Sequence, residues 1–206
     1  MADVWLNPVV NAMYGAARLR EALRGLGFEV LDCTADHAAQ VRAHYARAVA
    51  QRGGRTVVDM RCPAAAARFR AIAGDSAYTY PDIEPILVHC AREVCARVPE
   101  AQECLVITPC ESLAAYSRRC RVPRAQFLTW KAFLARPDVD SSKLPPARRL
   151  ADSPVPPGFF APLSCAVHSL TGTQTIQSYA SKRHANPPAL VELLDCPGGC
   201  HHGDGV

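Results

Sequence analysis

Leu105-Val106-Ile107-Thr108-Pro109-Cys110-Glu111-Ser112-Leu113 sets the reading of the whole chain. An apolar run with two β-branched residues forms a strand, runs into Thr-Pro-Cys, and opens a helix at Glu111. The same arrangement recurs on either side. Arg55 to Met60, rich in β-branched Thr56, Val57 and Val58, runs into Arg61-Cys62-Pro63 and an alanine-rich helix. Val191-Glu192-Leu193-Leu194-Asp195 runs into Cys196-Pro197-Gly198-Gly199-Cys200. Each time a cysteine stands where a strand stops. In open α/β sheets the carboxyl ends of the strands line the functional crevice. A helix N-terminus adds N–H groups and a partial positive charge, which favour a thiolate. Pro63 suits a first helical position, where its missing N–H would have been unpaired anyway.

The remaining segments complete an alternation of strands and helices. Val4-Trp5-Leu6 reads as a strand. Ala12, Ala16, Leu19, Leu23 and Leu26 share one face of a helix that Gly25 and Gly27 end. Phe28 to Leu31 is the next strand. Thr34 could cap a helix with Ala38, Val41, Tyr45 and Ala48 on its apolar face, stopped by Gly53-Gly54. Cys165-Ala166-Val167 reads as a strand and Thr173 to Ser181 as a helix. This pattern predicts an α/β fold of two small lobes, with largely parallel sheets flanked by helices. The expected division is a first lobe at about 1–104 and a second at about 105–206. A stiff, proline-rich stretch within 137–160 serves either as the crossing between them or as a surface loop.

The 206 residues are 49% apolar and 20% charged, which excludes a disordered chain. The net charge of +4 is mild and the arginines are dispersed, so no nucleic-acid footprint is expected. No apolar run approaches the ~18 residues of a membrane span, and the acidic start Ala2-Asp3-Val4 is unlike a signal peptide. A cytoplasmic location is expected. In that reducing setting ten cysteines point to metal or redox chemistry rather than to disulfides.

Cys196-Pro197-Gly198-Gly199-Cys200 is the sharpest local signal. Gly198 and Gly199 let the backbone close around a bulky inorganic centre and turn N–H groups toward its sulfur atoms. With Cys62 and Cys110 the thiolates number four, the usual ligand set of a [4Fe–4S] cluster and equally of a tetrahedral zinc. Single ligands on separate strand ends fit a cluster held in a cleft between lobes better than a zinc ribbon with paired knuckles.

With these motifs in order, the chain resembles the catalytic H-cluster domain of the [FeFe] hydrogenases and their non-hydrogenase relatives. Arg61-Cys62-Pro63 matches the end of the family's Thr-Ser-Cys-Cys-Pro segment. Thr108-Pro109-Cys110 matches Met-Pro-Cys, and Glu192 to Cys200 matches Glu-x-x-x-Cys-Pro-Gly-Gly-Cys. Leu23 to Phe28 with Asp32 is similar to the run that precedes the first cysteine. The resemblance implies that Cys62, Cys110, Cys196 and Cys200 ligate one [4Fe–4S] cluster, with Cys200 at the position that bridges to a diiron centre in the family.

The departures bear on function. Arg61 stands where the family has a proton-passing cysteine, and arginine stays protonated at working pH. Ala38 to Ala50, which matches the family's relay segment, holds no carboxylate. Cys110 is followed by Glu111-Ser112-Leu113-Ala114-Ala115, without the lysine that pairs with a diiron cyanide. Thr108 and Leu194 replace methionines. The segment between Cys110 and Cys196 is short, and no ferredoxin-type cluster domain is found. No diiron subcluster and no hydrogen turnover are therefore expected. The reading is an iron–sulfur protein for electron transfer or redox sensing, served by a redox partner protein. The alternatives are a minimal [FeFe] hydrogenase and a structural zinc or cluster-scaffold protein.

Around the cluster, Arg61 is expected to offset its negative charge. Cys90, at the end of Pro85-Ile86-Leu87-Val88-His89-Cys90, is a candidate fifth thiol in the same crevice. Cys33, Cys95, Cys104, Cys120 and Cys165 read as small buried hydrophobes. His201 and His202 read as a solvated tail.

Overall fold

The structure is a computed structural model that describes residues 2–206; Met1 lies outside the described residues. In chain order its elements are β1 (Ala2–Trp5), α1 (Pro8–Tyr14), α2 (Ala16–Gly25), β2 (Phe28–Val30), α3 (His37–Ala50), β3 (Thr56–Val58), α4 (Pro63–Ala73) and β4 (Tyr78–Thr79). There follow α5 (Ile86–Arg97), β5 (Cys104–Thr108), α6 (Glu111–Arg119), β6 (Ala125–Thr129), α7 (Trp130–Leu134), β7 (Val167–Thr171), α8 (Thr173–Ala180) and β8 (Leu190–Leu194). The fold is α/β, with two four-stranded, all-parallel sheets flanked by helices. Among the described residues no helix is long and apolar enough to cross a membrane.

The chain forms two compact units, each assembled from separated segments. The first holds the chain up to Ala35, Leu87–Val155 and His201–Val206; the second holds Asp36–Ile86 and Pro156–Cys200. This corrects the expected halves of 1–104 and 105–206. A cut at 104 would split the first sheet, in which β1 pairs directly with β5. The chain leaves the first unit for the second at Val155–Pro156, inside the proline-rich stretch.

In the first unit the strand order is β2-β1-β5-β6. Along β5, Leu105 and Ile107 face one apolar layer with Val4, Leu23, Trp130 and Phe133, while Cys104 and Val106 face the other with Val88, Val94 and Phe127. Both faces of a parallel sheet are covered, so β5 is buried throughout. Asn7 accepts the N–H groups of Val9 (2.9 Å) and Val10 (3.2 Å) to start α1, and its amide donates to the Ile107 carbonyl at 3.3 Å. The single helix expected across Ala12 to Leu26 is two, broken at Gly15 (φ 77°).

In the second unit the order is β4-β3-β8-β7. Val58, Val191 and Leu193 pack with Phe69 and Ile176 on one face; Val57 and Leu190 pack with Tyr45 and Phe160 on the other. The two central strands, β3 and β8, are the ones that lead into Cys62 and Cys196. Asp36, rather than Thr34, caps α3 by accepting the Ala39 N–H at 2.8 Å. The run ending at Cys90 is a helix, α5, not a strand, so Cys90 does not stand at a strand end.

Candidate metal centre

The sequence-predicted cysteines fall where helices begin. Cys62 is the N-cap of α4 and Cys110 the N-cap of α6. Asn7, Asp36 and Thr129 each turn a side-chain oxygen back onto the helix they cap; Cys62 and Cys110 make no such bond. Sulfur is a poor acceptor, and a residue so placed is not selected for capping.

Three of the four predicted ligands belong to the second unit: Cys62, Cys196 and Cys200. β3 and β8 pair with Val58 opposite Val191, so their carboxyl ends are neighbours. Burial pushes the Cys62 thiol up, and the nearby backbone of Asp195 and Ala65 works in the opposite direction. The base of the Cys196–Cys200 loop, at Asp195, thus lies near the first cysteine. That loop is anchored: the Asp195 carboxylate takes Arg68 Nε at 3.1 Å and Thr173 Oγ1 at 3.3 Å. Gly198 (φ 70°) and Gly199 (φ 129°) turn it through conformations that side chains disfavour.

Cys110 belongs to the first unit, and the residues that follow Cys200 are fastened to its turn. The Gly205 N–H donates to the Pro109 carbonyl at 3.2 Å, and the Glu111 N–H donates to Asp204 Oδ1 at 2.9 Å. A Cβ on Gly203 would lie 2.2 Å from the Pro109 oxygen, so only glycine fits there. Lys131 holds the same tail through its N–H to Gly205 O (3.1 Å) and its Nζ to Asp204 O (2.7 Å). His201–Val206 is therefore a docked strap and not the solvated tail expected. His201 Nδ1 is buried without a hydrogen-bond partner, beside a cavity of about 290 Å³ lined by Met13, Arg148, His202 and Val206.

Arg61 sits inside the second unit. Its guanidinium, 8% exposed, lies 2.8 Å from Asp59 Oδ2 and 2.9 Å from Glu192 Oε1, both carboxylates being fully buried. Its Cζ lies 3.9 Å from the Phe159 ring centroid and 4.6 Å from that of Phe160. Burial alone would lower the Arg61 pKa, but the Asp59 and Glu192 charges outweigh it and raise it. Tyr45 donates to Asp59 Oδ1 at 3.3 Å and accepts the Met60 N–H at 2.7 Å; burial and the Asp59 charge raise its pKa well above the ordinary value. Glu192 also accepts the N–H groups of Gly158 (2.7 Å) and Phe159 (2.9 Å) and the Ser169 hydroxyl (2.5 Å). The charge expected to offset a cluster is thus matched by two carboxylates. Asp59 and Tyr45 carried no sequence signal for this role, because each lies in an ordinary strand or helix pattern.

Cysteine chemistry also gathers at Cys33, which the sequence reading took for a small hydrophobe, and at Cys90, the candidate fifth thiol. Ligand atoms of Cys33, His37 and Cys90 all lie within 4.8 Å of one another, a group that could hold a metal ion. Cys33 and Cys90 share a hydrogen bond, which with burial pushes the Cys90 thiol strongly up. Cys95 and Cys104, read as separate buried thiols, are joined in a disulfide that ties the end of α5 to the start of β5. The sequence held no spacing signal for either arrangement.

Comparison of the chain with family models, with curated proteins and with solved structures gives no match.

Proposed function

We propose that the chain is an iron–sulfur protein that holds one [4Fe–4S] cluster on Cys62, Cys110, Cys196 and Cys200 and exchanges electrons with a partner protein. The observation that carries this reading is that β3 and β8 run side by side, Val58 opposite Val191, and lead into Cys62 and Cys196. Two thiols carried at neighbouring strand ends suit an anionic thiolate-bound centre. Cys200 closes the two-glycine loop and leads directly into the strap that is fastened over the Cys110 turn. Donor type and local backbone therefore fit the group.

When bound, such a cluster supplies one-electron transfer. The protein's part is to fix the ligands and to set the surrounding charge. Arg61 keeps the Asp59–Cys62 turn rigid through its two carboxylates, and as a permanently protonated group it does not relay protons. This favours electron exchange over hydrogen turnover, which requires proton delivery.

Anaerobic reconstitution of the full chain with iron and sulfide tests the reading. About four iron and four sulfide per chain are expected, with visible colour that bleaches on reduction. Cys62→Ala and Cys196→Ala should lose it. Colourless protein containing zinc and no sulfide would replace this reading with the zinc one. Hydrogen evolution after loading with a diiron cofactor would replace it with the hydrogenase.

A further inference from the structure

We propose that the cavity between the end of α1, the segment at Arg148 and the His201–Val206 strap binds a small phosphomonoester, a phosphate dianion carried on a compact apolar group. All of the residues that line it belong to the first unit, and the site does not rest on the cluster reading. Its volume of about 290 Å³ stands at the lower end of the range for ligand pockets and suits a small molecule.

Charge selects the ligand. Arg148 and Arg149 both line the cavity. Arg148 is fixed to the end of α1: its backbone N–H donates to the Met13 carbonyl and its Nε to the Ala12 carbonyl, each at 2.9 Å. Pro145 and Pro146 stiffen the chain that leads to it. Its two Nη groups and the whole Arg149 guanidinium are left without a bond to the protein, and among the described residues no carboxylate pairs with either arginine. The strap's one acidic side chain, Asp204, takes the Glu111 N–H at 2.9 Å instead. Guanidinium forks match phosphate oxygens, and two positive charges match a phosphomonoester, which is largely a dianion at neutral pH. A carboxylate would leave one of them uncompensated.

The strap adds a donor. His201 Nδ1 is buried and has no hydrogen-bond partner. Buried polar atoms are nearly always paired in native proteins. A ligand oxygen in the adjoining cavity would pair this one, since a neutral imidazole can carry its proton on Nδ1 and donate it. The His202 ring lies against that of His201, with 3.9 Å between centroids, and steadies it. Met13 and Leu150 complete the lining with apolar surface, which free phosphate would leave uncovered and the body of an ester would cover.

Calorimetric titration of the full chain with phenyl phosphate at low salt tests the site. One equivalent should bind, more tightly than inorganic phosphate and more tightly than benzoate, which keeps the ring and carries a single charge. Arg149→Gln, which breaks no bond within the protein, should weaken binding about 10-fold or more and leave Tm unchanged. Arg148→Gln should weaken it to a similar degree. His201→Phe, which keeps a ring in place and deletes Nδ1, should weaken it roughly 5-fold. Arg121→Gln, on an exposed arginine just before β6, should leave the affinity as it is. A chain that binds neither phenyl phosphate nor inorganic phosphate overturns the site. So does an affinity that survives Arg148→Gln and Arg149→Gln together, or one that Arg121→Gln lowers as much as they do. Inorganic phosphate or benzoate binding as tightly as phenyl phosphate overturns the choice of a phosphomonoester.

Discussion

Arg61 Nη2 lies 2.9 Å from Glu192 Oε1, joining residues 131 positions apart inside the second unit. Arg61 also meets Asp59, so one cation stands between two buried carboxylates. Removing the cation leaves both without compensation. Arg61→Met should destabilise the protein by about 3–5 kcal/mol. For a chain of this size that lowers Tm by roughly 10 °C, measured by thermal unfolding. A Tm within about 2 °C of wild type would show that the network contributes little.

The Cys95–Cys104 disulfide closes a short loop, with a separation of 9 in sequence. Loop-closure entropy gives a contribution of roughly 2–3 kcal/mol. Cys95→Ala/Cys104→Ala should lower the unfolding midpoint in urea accordingly. Alkylation of the denatured, unreduced chain should count eight thiols, those outside the bridge. A count of ten would mean that the bridge does not form.

Gly203 packs against the Pro109 carbonyl with no room for a methyl group. Gly203→Ala should release the strap. The Lys131 and Gly205 amides, which donate to Gly205 O and Pro109 O, should then exchange with deuterium many-fold faster. Amides in β8, in the other unit, should keep their protection. Unchanged exchange at Lys131 would contradict the close fit.

Gly199 has φ 129°, a conformation closed to side chains. Gly199→Val should cut iron retention after reconstitution several-fold, with little change in the Tm of the metal-free protein. Full iron retention would mean that the loop is not shaped for a cluster.

Periodicity and β-branching made most of the fold legible. β3, β5 and β8 lie where the apolar runs place them, and α4 and α6 begin at the expected cysteines. Short or mixed elements escaped: β4 has only 2 residues and β6, Ala-Gln-Phe-Leu-Thr, shows no clean alternation. The apolar run before Cys90 was ambiguous because a buried helix and a buried strand look alike over a few residues. Unit boundaries were not legible, since parallel pairing of β1 with β5 joins segments about a hundred residues apart. The strand-end cysteines were visible because each followed its own strand. The Cys33–Cys90 pair and the Asp59–Arg61–Glu192 network were not, because their partners meet only through tertiary packing.

The turn that carries Cys62 is held by two buried side chains. Asp59 accepts the Arg61 and Leu193 amides, and Tyr45 takes the Met60 amide. Asp59 thereby bolts the end of β3 to β8, so these two central strands should loosen together and not one at a time.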